Sequence, residues 1–107
     1  MKSFIAEILM LEKDLETVME SRVAVIAIIT GTSEAAQEVN HILHDYNPFI
    51  IGRMGLPYRT KNVFIINIVV DAPLDKINAL AGKLGRLDGV TAKAVYSGVA
   101  GQNAETF

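Results

Sequence analysis

The chain contains no cysteine and no tryptophan, three prolines and two histidines in 107 residues. Without cysteine there is no disulfide framework, no thiol nucleophile and no thiolate metal site, which fits a reducing compartment such as the cytoplasm. Basic residues are also scarce: ten lysines and arginines against twelve acids give a net charge of −2. A nucleic-acid surface needs a concentrated basic patch to neutralise phosphates, so direct DNA or RNA binding is not expected. Long apolar runs are missing as well. Charged or amide residues interrupt every stretch before the roughly 18 residues a membrane span requires, which excludes a transmembrane helix. Nor is there a glycine-flanked serine elbow or a phosphate-binding loop, and a serine-histidine-carboxylate set could be assembled only by free choice of residues. The sequence therefore predicts no catalytic residue and no cofactor.

What is present is apolar for its size. Half of the residues are hydrophobic and the mean hydropathy is +0.31, more than an ordinary monomer of this length carries. One domain is all that such a length supports. The start, "MKSFIAEILMLEKDLETVMES", lacks a small-residue cleavage site and runs into acidic, helix-forming residues, unlike a signal peptide. Ile5, Ile8, Leu9, Leu15, Val18 and Met19 recur near helical spacing, predicting an amphipathic helix over Ser3–Glu20 within an N-terminal segment 1–20.

"SRVAVIAIIT", Ser21–Thr30, is apolar at nearly every position and rich in β-branched residues, as a central strand is. Gly31 then leads to Thr32 or Ser33 as N-cap, and Ala36, Val39, Leu43 and Tyr46 recur at helical spacing until Asn47-Pro48. "PFIIGRM" reads as a shorter strand, with its proline at the strand start or sheet edge. "NVFIINIVVD" is a second buried strand. Asp71 is expected to cap, and Pro73 to open, a helix whose Leu74, Ile77, Leu80 and Leu84 form one stripe. "VTAKAVYS" is an outer strand with Val90, Ala92, Ala94 and Tyr96 on one face, and residues 98–107 form a flexible tail.

The order is β-α-β-β-α-β, an α+β, ferredoxin-like two-layer sandwich over residues 21–97 with an added N-terminal helix. Two helices cover one face of such a sheet, yet both parities of the two central strands are aliphatic. The uncovered face predicts a homo-oligomer, a dimer or a tetramer.

The stretches "ESRVAVIAIIT", "EVNHILHDY", "IIGRMGLPYR", "VVDAPLDKINALAGKLGRLDGV" and "KAVYS" resemble the small family of regulators of the iron-only hydrogenase system. The resemblance runs from Arg22 to Ser97, and the block Gly52-Arg53-Met54-Gly55-Leu56-Pro57-Tyr58-Arg59 is its most specific part. It implies an ACT-like fold, similar to the ligand-binding domain of the nickel-responsive repressor, and a regulatory role. That repressor binds metal through histidines and a cysteine on its sheet. This chain has no cysteine and no histidine on a predicted strand, so nickel sensing does not carry over.

Three groups of residues are candidates for chemistry. Gly31, Thr32 and Ser33 lead into a helix N-terminus, where free N–H groups favour an anion, and ACT-like domains place effectors near this turn. Gly52, Arg53, Met54, Gly55, Tyr58 and Arg59 form an expected loop. Its guanidinium forks suit carboxylates or phosphates, and its glycines would let the chain bend or approach a second subunit. A contact between subunits, with a small anionic effector beside it, is the expectation for this block. His41 and His44, three apart on the first helix with Asp45 adjacent, are the only metal-like pattern, and a structural reading of them is favoured. The rival reading is a dimeric ferredoxin-like isomerase or oxygenase with a pocket between sheet and helices, using His41, His44 or Tyr96. Such a pocket needs a polar group facing inward from a central strand, and Asn67 is the candidate.

Overall fold

A computed structural model describes residues 21–97. The helix expected over Ser3–Glu20 and the tail 98–107 lie outside these residues. Strand β1 (Arg22–Thr30) is followed by helix α1 (Ser33–Asp45), strands β2 (Ile50–Tyr58) and β3 (Val63–Ala72), helix α2 (Leu74–Gly85) and strand β4 (Val90–Tyr96). The sheet order is β2-β3-β1-β4 with every neighbouring pair antiparallel. This is the ferredoxin-like arrangement, and the two continuous apolar runs are the two central strands, as their patterning requires.

The register separates two faces. Ala24, Ile26 and Ile28 of β1 and Ile66, Ile68 and Val70 of β3 are buried beneath Val39 and Leu43 of α1 and Ile77, Leu80 and Leu84 of α2. Val90, Ala92 and Ala94 of β4 extend this core to the sheet edge. The helices dock because their apolar residues fall at i, i+3 and i+4, a single stripe. Tyr46, just past α1, is also buried, and the Lys83 ammonium lies 5.0 Å from its ring centroid.

Local chemistry explains most boundaries. Thr32 caps α1, its hydroxyl accepting the Ala35 N–H at 3.0 Å. Asp71, expected as the cap of α2, is instead exposed in β3 opposite Val23, because the ladder with β1 continues to Ala72. Pro73 takes the N-cap position without a side-chain bond. Leu74 is more than one third exposed, so the α2 stripe begins at Ile77. Gly89, with φ +74°, allows the return into β4.

The largest departure concerns β2, which is nine residues long and reaches Tyr58. The block expected as a loop is therefore an edge strand. An edge strand pairs on one side only, so Pro57 costs no ladder bond there. A bulge between Ile50 and Gly52 absorbs the one irregularity. The turn itself is a short 3₁₀ segment, Arg59–Lys61, closed by Asn62 at φ 53°, a left-handed position that asparagine tolerates.

Replacing the fully buried Ile68 by alanine is expected to cost about 2–5 kcal/mol in urea denaturation. Thr32→Ala should cost about 1 kcal/mol through loss of the cap.

Candidate functional site

Because β1 runs antiparallel to β3, the end of β1 lies beside the start of β3, with Thr30 opposite Phe64. The turn after β1 and the turn before β3 therefore meet at one end of the sheet. A cleft of about 620 Å³ opens there, lined by Gly31, Thr32 and Ser33 from one turn and Pro57, Tyr58, Arg59, Asn62, Val63 and Phe64 from the other. Two groups of candidates that are 25 or more positions apart in the chain are thus neighbours. Arg59 is exposed, and its guanidinium has no ion pair or hydrogen-bonded partner among the described residues. Thr32 and Ser33, at the start of α1, line the same cleft, so an acidic group there would meet a guanidinium beside a helix N-terminus.

The remaining members of the block divide by strand parity. Gly52, Met54, Leu56 and Tyr58 stand opposite Val69, Asn67, Ile65 and Val63 on the uncovered face. Arg53, Gly55 and Pro57 stand opposite Ile68, Ile66 and Phe64 on the helix side. The Arg53 guanidinium donates to the Asn40 amide oxygen of α1. Neither Gly52 nor Gly55 has a positive φ. Gly52 closes the bulge at the start of β2, and Gly55 contributes missing side-chain volume. No heavy atom lies within 4 Å of where a Gly55 Cβ would be.

The uncovered face is apolar and open. Val23, Val25, Ile29, Met54, Leu56, Tyr58 and Val95 each expose more than 40% of their surface. Asn67 belongs to this face, between Ala27 and Met54, and not to the space between sheet and helices where the enzyme reading needed it. The buried polar side chain on the helix side is Thr30, which the sequence reading passed over. Its hydroxyl donates to the Thr32 carbonyl at 3.4 Å, holding the turn. His41 and His44 are both exposed on α1, and among the described residues no group of three or more histidines and acids is placed to hold a metal ion. Tyr96 donates its hydroxyl to Asn78 at 2.7 Å. Asn40, Asn62, Val63 and Phe64 were not singled out from the sequence. The ββ hairpin topology was the available signal, since it sets the β2–β3 turn beside the β1–α1 turn.

The described residues form an α+β ferredoxin-like domain with a cleft at the start of α1 and an exposed apolar sheet face. Residues 22–94 match the family model described as "TM1266-like: Iron-only hydrogenase system regulator, putative", and the chain belongs to that family. The structure of the uncharacterized protein TM1266 from Thermotoga maritima is 36% identical, with TM-score 0.71 over 74% of this chain and 100% of that one. The C-terminal domain of the MgtC protein from Mycobacterium tuberculosis shares the fold at 12% identity. Its TM-score is 0.60, over 76% of this chain and 93% of that one. A formyltetrahydrofolate deformylase from Pseudomonas putida KT2440 shares it at 13% identity and TM-score 0.51. That match spans 68% of this chain but 28% of the deformylase. No curated protein matches the chain. Among the described residues no helix is long and apolar enough to cross a membrane.

Arg59→Gln should leave the thermal midpoint within about 1 °C, since exposed unpaired charges contribute little to stability.

Proposed function

We propose that this protein is a non-catalytic, cytoplasmic regulatory module of the iron-only hydrogenase system that works as a homo-oligomer, a dimer or a tetramer, and responds to a small anionic effector or a partner protein. The observation that carries this reading is the bare apolar face. Each large aliphatic group on it would contribute on the order of 1.5–3 kcal/mol if fully covered. Patches of this kind on a small domain mark association surfaces. The family description supports the regulatory part, and the absence of cysteine supports a reducing compartment.

A second copy is the occupant proposed for the face. Val25 and Ile29 of β1 lie at its middle, flanked by Val69 and Ile65 of β3 and by Val95 and Thr91 of β4. Met54, Leu56 and Tyr58 of the block add to the same surface, so the strand expected as an interface loop still contributes its apolar half to that interface. The effector is placed at the cleft between Thr32–Ser33 and Tyr58–Arg59, where a carboxylate or phosphate meets an unpaired guanidinium. The enzyme reading finds little support: the inward polar group of the central strands is Thr30, already engaged, and the histidines are exposed.

Sedimentation velocity at low micromolar concentration should show a dimer or tetramer. The double variant Val25→Glu/Ile29→Glu should sediment as a folded monomer, since burying two unpaired carboxylates in an interface is prohibitive. A wild-type monomer at these concentrations would overturn the association reading. A thermal-shift screen with amino acids, nucleotides and metal ions should give anionic hits that Arg59→Gln abolishes.

A further inference from the structure

The cleft at the β1–α1 turn does not end at Tyr58. Pro57 and Phe64, which line it, also line a second cavity of about 270 Å³ that includes Ala36, Asn40, Arg53 and Gly55. The two hollows adjoin at Pro57 and Phe64 and together outline a groove between α1 and the edge strand. It exists because the helix-side positions of β2 are Arg53, Gly55 and Pro57, where no bulky aliphatic side chain fills the space. Ser33, Ala36 and Asn40 follow one another at three- and four-residue spacing along the α1 wall. At a rise of about 1.5 Å per residue, that wall runs roughly 10 Å from Ser33 to Asn40.

Charge is confined to the ends of this groove. Arg59 stands at the turn end and Arg53 at the other, and no other charged residue lines either cavity. Between them lie Pro57, Phe64 and Ala36. Arg53 donates to a neutral amide, Asn40, and has no carboxylate partner among the described residues. A carboxylate or phosphate makes a stronger, bidentate, charge-assisted pair with guanidinium than an amide oxygen does, so an acidic group entering here would displace Asn40.

We propose that the two hollows act as one groove that binds an elongated dianion: a small molecule with two acidic groups joined by an apolar stretch matching the roughly 10 Å Ser33–Asn40 wall, one acid on Arg59 and the other on the Arg53 guanidinium where it meets Asn40. This rests on the anionic-effector reading above and adds to it the second acid, the separation and the apolar middle.

Isothermal titration calorimetry on the full chain with unbranched α,ω-dicarboxylates, from adipate to dodecanedioate, tests the inference against monocarboxylates of equal length. Affinity should rise with chain length to an optimum near sebacate, about tenfold tighter than the matching monoacid, a 1.4 kcal/mol difference. Arg53→Gln should bring the diacid down to monoacid affinity while leaving the monoacid unchanged. Gly55→Leu, which places a side chain in the open space of the groove, should also abolish the length optimum, with circular dichroism reporting an intact fold in both variants. Diacids and monoacids binding alike to the wild type, with Arg53→Gln altering neither, would overturn the dianion while leaving the anion site standing. If neither class binds, the anion site falls and the inference falls with it.

Discussion

Two helices lie against one side of a four-stranded sheet whose central strands are aliphatic on both sides. This imbalance governs the rest of the molecule. The helix-covered side forms a closed core in which Ile26, Ile28, Ile68, Ile77, Leu80 and Leu84 are sealed from water. The other side carries residues of the same chemistry with nothing above them among the described residues. The hydrophobic effect scales with area removed from water. A sheet of this composition gains from covering its second face as well as its first, and the described residues supply two helices, both on the first.

The edge strand translates that imbalance into two separate surfaces. Alternation along a strand sends successive side chains to opposite faces, so one short run serves both. Gly52, Met54, Leu56 and Tyr58 belong to the bare face, whereas Arg53, Gly55 and Pro57 edge a groove beside α1. The unusual composition of "GRMGLPYR" follows from this double duty. Small and rigid residues keep the groove open, an arginine spans it to Asn40, and apolar residues extend the sheet surface. Adjacent residues of one strand thus border both the exposed apolar face and the groove.

Much of the fold was legible in local pattern. The strand order, the central positions of the Ser21–Thr30 and Asn62–Asp71 runs, and the stripe Ala36, Val39, Leu43 and Tyr46 all follow from period and β-branching. Boundaries were less legible where tertiary pairing competes with local preference. Asp71 is a good cap by type, but the β1 ladder holds it in β3. Gly52, Gly55 and Pro57 look like turn residues, but β3 offers Val69, Ile66 and Phe64 as partners and draws them into a strand. Asn67 could not be assigned to a face without the register, since one residue of slip sends every side chain to the other side.

The amino-acid order alone determined the class of fold, the surplus of apolar residues and the absence of thiols, because these depend on composition and on periodicities of two and 3.6. Only the tertiary structure decided that Thr32, Ser33, Tyr58 and Arg59 share a cleft, that Arg53 reaches Asn40, and which half of the Gly52–Tyr58 strand faces outward. Those facts depend on which strands lie side by side and in what register. Contacts between residues far apart in the chain set both, and no local pattern encodes them.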